Sequence, residues 1–292
     1  MHSIYYFTDI HGHYLLYDAI INWCLEQDNQ SFIIFGGDSC DRGLDGYKIM
    51  RELVENPQVG FLKGNHEDLF TKAARALIGY CAQSDELYSK LKSRNAKIAK
   101  SLVELCSLPD VVLHCQNGGF STLVQWITEG ADEDFISIIE DLPLTFSYQN
   151  LDFCHAGSKY DIFKKVYEAE YNQALVNHTD AFTLMWDRID LPLGWETNRI
   201  CVFGHTPTVS LPTGIYGRDK SIVRAHPCAW QDKMGAKDKR GGWKIDMDTA
   251  TVWSDRAFVL DCCTLKIIEF YDDKNINGDN IIITKHDKKL LS

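Results

Sequence analysis

At 292 residues, with 45% apolar and 24% charged side chains, the chain is long enough for one large domain or two small ones, and disordered or collagen-like classes are excluded. A formal net charge of −11 repels nucleic acid and anionic membrane, so neither is an expected partner. No apolar stretch approaches the ~18 residues of a membrane span, and Asp9, His11 and His13 interrupt the N-terminus before a signal-peptide core could form.

Along the chain, short apolar runs repeatedly deliver polar clusters: IYYFTDIHGH (4–13), FIIFGGDSCDRG (32–43), VGFLKGNHED (59–68), LDFCHAG (151–157) and ICVFGHT (200–206). The spacing of Leu, Ile and Trp predicts helices over 14–27 and 44–55, between the first three runs. Asp9 and Asp38 are 29 positions apart and Asp38 and Asn65 are 27 apart, which suits successive βαβ units. Ligands bind beyond the carboxyl ends of strands in such folds, so Asp9, Asp38 and Asn65 are expected to converge. Residues 69–141 read as a helical insertion packed beside the site, with helices at 69–79, 85–106, 119–130 and 132–141 and breaks at Pro109 and 117-NGG-119.

The segment 207–241 reads as a loop and carries the densest basic stretch: Arg218, Lys220, Arg224, Lys233, Lys237, Lys239 and Arg240. It is either a solvated loop or a lid that draws in anionic substrate. Strand-like runs at 243–248, 251–260, 264–271 and 280–284 predict a second, largely antiparallel sheet. The whole of 1–292 reads as a single domain. The ten cysteines include no CxxC pair and several lie in apolar runs, so they are expected to be reduced core thiols of a cytoplasmic protein.

A pair of divalent metals needs carboxylate and amide oxygens, imidazole nitrogens and one ligand able to bridge. Asp9 and His11 sit two apart at a strand end, on one face. Asp38 ends the next strand with two oxygens able to bridge, and Asn65, His155 and His205 each close a run of their own. The set contains only oxygen and nitrogen donors, which excludes a structural thiolate zinc site.

These residues carry a resemblance. DIHG at 9–12, GDSCDRG at 37–43, GNHE at 64–67, HAG at 155–157, WDR at 186–188 and GHTP at 204–207 are similar to the motifs of the calcineurin-like metallophosphoesterases, in particular the phosphoprotein phosphatase branch with its compact bacterial and phage members. The resemblance implies an α/β (α+β) fold, a sandwich of two mixed β-sheets flanked by helices. It implies Asp9, His11 and Asp38 on a first ion and Asp38, Asn65, His155 and His205 on a second. It further implies His66 and Asp41 as the acid/base pair, and Arg42 and Arg188 with Asn65 as phosphate-binding groups. His155 is followed by Ala-Gly where many relatives have Gly-Gly. The implied cofactors are two divalent ions, manganese first, with iron or zinc as alternatives.

The expected chemistry is direct attack on phosphorus by a hydroxide shared between ions about 3.5–4 Å apart. His66 would protonate the leaving oxygen and Asp41 would orient it, while the arginine forks would hold the phosphoryl oxygens. The expected substrate is a phosphorylated protein, at serine, threonine or also tyrosine. The alternative is a small phosphoester or dinucleoside polyphosphate such as diadenosine tetraphosphate, and a third class is a binding module that has lost catalysis.

Among the remaining polar residues, Glu67 is expected to orient a ligand, and His13 to lie just outside the site or on the surface. Asp246 and Asp248 suit a cap or turn as well as the site. His2, His114, His178, His226 and His286 read as background.

Overall fold

The computed structural model describes residues 2–188, 195, 198–210, 227–231, 242–274 and 281–289. Its first three strands, β1 (Ile4–Phe7), β2 (Phe32–Phe35) and β3 (Val59–Phe61), pair in parallel with Ile4 opposite Phe32 and Ile33 opposite Val59. They are joined by α1 (Tyr14–Gln27) and α2 (Gly46–Glu55), as the apolar spacing predicts. Six helices follow: α3 (Asn65–Cys81), α4 (Asp85–Leu91), α5 (Ala96–Glu104), α6 (Pro109–Gln116), α7 (Phe120–Thr128) and α8 (Glu133–Glu140).

Two departures from the expected helices have local causes. The run 85–106 divides where Arg94 turns left-handed at φ 53° and the Asn95 side chain caps α5 through the N–H groups of Lys97 and Ile98. Pro109 begins a helix instead of breaking one, because a first-turn residue has no intrahelical partner for the N–H that proline lacks.

The second half supplies β4 (Thr145–Tyr148), β5 (Leu151–Ala156), α9 (Tyr160–Tyr171), α10 (His178–Trp186), β6 (Ile200–Gly204), β7 (Cys228–Gln231), β8 (Trp243–Asp246), α11 (Thr251–Ser254), β9 (Arg256–Asp261), β10 (Lys266–Asp272) and β11 (Ile281–Lys289). The C-terminal strands do not make a sheet of their own. β9, β10 and β11 extend the first sheet in the order β11-β10-β9-β1-β2-β3, with β9 antiparallel to β1. β8 joins the other sheet, β4-β5-β6-β8-β7, and lies parallel to β6. Residues 251–254 form a helical turn, so the predicted strand at 251–260 starts only at Arg256. β7 falls inside the stretch read as a loop, and the seven basic residues of that stretch lie outside the described residues.

Both sheets are mixed and stack face to face. Side chains alternate along a strand, and so Tyr6 and Ile34 point toward Phe153, Val202 and Ile245 of the facing sheet. Their neighbours Tyr5, Phe7, Ile33 and Phe35 pack outward under the helices. On the far side, Cys154, Cys201 and Phe203 pack with Phe163, Leu184 and Trp195. Parallel strands from both sheets therefore end along one edge: β1, β2 and β3 from one, β5, β6 and β8 from the other.

Phe153 is fully buried between the sheets and stacks on Tyr6 with ring centroids 5.3 Å apart. Phe153→Ala is expected to destabilise the fold by about 3–5 kcal/mol, read from the urea midpoint. A loss below about 1 kcal/mol would show that the inter-sheet contact does not depend on this ring.

Candidate active site

Each polar cluster leaves its strand at that common edge, and those after β1, β2 and β6 leave through strained backbone. Asp9, His11, Asp38, Asp41, Arg42 and His205 all have positive φ, between 45° and 70°. Non-glycine residues hold the left-handed region only where surrounding bonds compel it, and such strain gathers at functional sites. Gly37, at φ 98°, allows the close approach of a side chain from β5 of the facing sheet: a Cβ there would lie 2.7 Å from Nδ1 of His155.

The loop after β2 is held by Glu67, buried in the first turn of α3. Its Oε1 accepts from the N–H of Ser39 at 2.8 Å and from Ser39 Oγ at 2.7 Å. Its Oε2 accepts from the N–H groups of Asp38 and Gly64, both at 2.9 Å. Asp38 is thus fixed from behind, and its Oδ1 accepts the His66 N–H at the start of α3 at 3.0 Å.

Two groups of potential ligand atoms converge on Asp38: His11, Asp38 and His66 on one side, and Asp38, His155 and His205 on the other. On the first side, His11 Nε2 lies 3.7 Å from Asp38 Oδ2 and 4.0 Å from Asp9 Oδ1. On the second, Asn65 Oδ1 lies 3.0 Å from His155 Nε2 and 2.8 Å from His205 Nδ1, and His155 Nε2 is 3.2 Å from Asp38 Oδ1. The sequence-predicted ligands Asp9, His11, Asp38, Asn65, His155 and His205 are all buried and all border this space.

The donor set fits divalent cations. Nδ1 of His11 donates to the carbonyl of Cys40 at 2.9 Å, and Nδ1 of His155 to that of Gly36 at 2.8 Å, which directs Nε2 of both rings into the site. The electrostatics point the same way. Burial and the neighbouring carboxylate of Asp248 push Asp9 well above the usual carboxylate range. Burial raises Asp248 to about 6, with Asp38 adding to the rise. Burial opposes charge on His155, yet Asp38 and Asp9 raise it to about 10. A pocket that repels further negative charge and holds a proton this tightly attracts cations. Asp38 remains well below the usual range, because His155 and His66 outweigh the cost of its burial.

His66 lies beside the ligands but is turned to a different partner. Its Nδ1 donates to Asp41 Oδ2 at 2.7 Å, leaving Nε2 toward the site, 3.8 Å from Asp38 Oδ2. Burial works against its charge, but Asp38 and Asp41 raise its pKa above the ordinary histidine value. Asp41 is held below the usual range, with His114 and then His66 outweighing burial.

Arg42 is half-buried, with Nη1 2.6 Å from His11 Nε2, Nη2 3.0 Å from His66 Nε2, and its guanidinium 5.3 Å from the centre of the Trp253 ring. Arg188 is exposed and donates to Thr206 Oγ1 at 3.2 Å, and its charge adds to the burial that lowers His205.

Several contributors escaped the motifs. His114 and Thr122, from α6 and α7, bond Asp41, and no local pattern marks them, since 73 and 81 residues separate the partners. Asp248 takes both of the roles open to it. Its Oδ1 caps the turn through the Ala250 N–H at 2.8 Å, and its charge reaches Asp9. His13 is turned away, its Nε2 3.6 Å from Asp255 and 3.5 Å from Asp272, with Lys274 also on Asp255. That network ties the start of α1 to β10.

Replacing Glu67 by Gln sets an amide NH2 against N–H donors whichever way it flips. Glu67→Gln is therefore expected to weaken divalent-metal binding about 10–100-fold in a calorimetric titration. Affinity within about twofold of the unaltered chain would show that the clasp does not position Asp38.

No curated protein matches this chain. Among solved structures, a putative diadenosine tetraphosphatase is 14% identical with TM-score 0.42, covering 97% of this chain and 93% of its own. A cold-active protein-tyrosine phosphatase of a psychrophilic Shewanella species is 13% identical with TM-score 0.44, covering 92% and 77%. A serine/threonine phosphatase from Saccharomyces cerevisiae is 14% identical with TM-score 0.42, covering 97% and 79%. Residues 2–226 match the calcineurin-like phosphoesterase family, and the chain belongs to it.

Proposed function

We propose that the protein is a metal-dependent phosphomonoesterase acting on phosphoserine and phosphothreonine, and on phosphotyrosine, in other proteins. One observation carries this reading: Asp38 is shared by two convergent groups of potential ligand atoms, and His66, a member of the first, is tied through its Nδ1 to Asp41. We assign Asp9, His11 and Asp38 to a first ion and Asp38, Asn65, His155 and His205 to a second. The ions would provide the activated water and neutralise the phosphate. Manganese is our assignment, with iron and zinc as alternatives, since such a donor set takes whichever ion the cell supplies. Cys24, Cys40, Cys81, Cys154, Cys201 and Cys262, buried among the described residues, support a reducing, cytoplasmic setting.

The chain's own groups then divide the work. His66 gives the proton on Nε2 to the departing oxygen, and Asp41 on Nδ1 keeps the ring charged and aimed. Arg42 and Arg188 bind phosphoryl oxygens with planar forks, and the Asn65 amide orients the phosphate from the ligand side.

A second reading, hydrolysis of dinucleoside polyphosphates, draws support from Trp253. Its ring is 54% exposed beside Arg42 and offers a face on which a purine could stack. Comparison of kcat/KM on diadenosine tetraphosphate and on phosphopeptides decides between the two.

Purified protein with Mn²⁺ is expected to hydrolyse aryl phosphates and phosphopeptides. His66→Asn should retain both metals and lose about 10²–10⁴ in kcat on substrates with poor leaving groups. Unchanged turnover would remove the acid role. Asn65→Ala should instead weaken metal binding, seen as sub-stoichiometric metal after dialysis.

A further inference from the structure

The carboxylate of Asp41 is a junction between two imidazoles. Its Oδ2 accepts from His66 Nδ1 at 2.7 Å, and both of its oxygens lie 2.9 Å from His114 Nε2. Thr122 Oγ1 donates to Oδ1 at 2.8 Å and accepts the Asp41 N–H at 3.1 Å. A carboxylate is an acceptor only, so the His114 nitrogen facing it carries the hydrogen.

His114 is itself wedged in place. It is fully buried on α6, and the Gly119 N–H donates to its carbonyl at 2.9 Å. A Cβ at position 119 would stand 2.2 Å from its Cδ2 and Nε2, so only glycine lets the ring reach Asp41. The other nitrogen, Nδ1, is buried without a hydrogen-bond partner. A leucine would fill this space without that cost, so packing alone does not account for an imidazole here.

We propose that His114 is a positioning residue for proton delivery: its two-oxygen contact fixes the plane of the Asp41 carboxylate, and that plane aims His66 Nε2 at the leaving oxygen. The terminal torsion of an aspartate is broad, and a carboxylate held by His66 alone would turn with it. Bonds from α6 and α7 on the far side remove that freedom. The inference rests on His66 acting as the acid, and it adds a residue from a separate helix to the acid pair.

The test uses the full chain loaded with Mn²⁺ and two substrates that differ in their need for a proton. Phenyl phosphate has a poor leaving group, whereas 2,4-dinitrophenolate departs unprotonated. His114→Leu is expected to lower kcat on phenyl phosphate about 10–100-fold, part of the 10²–10⁴ that a general acid contributes, while the dinitrophenyl ester changes less than about threefold. KM should hold on both. His114→Gln, whose amide nitrogen can replace Nε2, should recover most of the loss.

Gly119→Ala keeps the imidazole but drives it off Asp41, so it should reproduce the leaving-group dependence and carries the test if the leucine variant does not fold. Equal slowing of both substrates, or equal loss in the Leu and Gln variants, would reduce His114 to packing. His66→Asn runs alongside as the control. If it discriminates between the substrates and His114→Leu does not, only the present inference falls. If His66→Asn fails to discriminate, the acid reading falls and takes this inference with it.

Discussion

Four hydrogen bonds to one buried carboxylate hold the centre together. Glu67 receives the N–H groups of Gly64, Asp38 and Ser39 and the hydroxyl of Ser39, and so binds the loop after β2 to the start of α3. Asp38 and Asn65 belong to these two segments, so their relative position follows from that clasp. The N–H of His66 then reaches back to Asp38, closing a ring of bonds in which each residue fixes its neighbour. A carboxylate accepting from several donors is a stronger anchor than the same number of neutral bonds.

The clasp must be strong because what it assembles is repulsive. Asp9, Asp38, Asp246 and Asp248 are all buried along one edge, and burial and mutual repulsion raise Asp9, Asp246 and Asp248. Left-handed backbone at six site residues adds further strain. The two stacked sheets bear this cost through the apolar interior that Tyr6, Ile34, Phe153, Val202 and Ile245 form directly beneath the site. Stability is generated between the sheets and expended at their edge, the usual trade of an enzyme fold.

What the sequence revealed and what it concealed divide along a physical line. The proposed ligands were legible because each ends or follows a buried strand, and an apolar run followed by Asp, Asn or His is a local pattern. The helices α1 and α2 were legible by the same periodicity. Strand partners were not: the runs 251–260 and 243–248 read as strand-like, but nothing local tells that the strand in the first pairs with β1 and that in the second with β6. His114 was read as background because its significance lies entirely in a contact 73 residues away. The helix that carries it was missed because Pro109 looks like a break until it is seen as a first-turn residue.

That missed region shows how one loop serves two kinds of chemistry. The half of the β2 loop that carries Asp38 is secured by Glu67 of α3. The half that carries Asp41 is secured by α6 and α7: Asp41 by His114 and Thr122, the Arg42 N–H by the Gly118 carbonyl at 2.9 Å, and the Gly43 carbonyl by Ser121 Oγ at 2.8 Å. Gln125 continues the seam, bonding the Leu44 carbonyl and accepting the Tyr47 N–H at 3.1 Å. Only three positions separate the ligand from the partner of His66, yet their supports come from different helices. A change in the α6–α7 seam can therefore disturb the proposed proton delivery while Asp38 stays in register, and a change in the Glu67 clasp acts first on the half that carries Asp38. The helical segment is in this sense part of the site, since it braces Asp41, the partner of the proposed acid His66, which the strand ends alone leave unbraced.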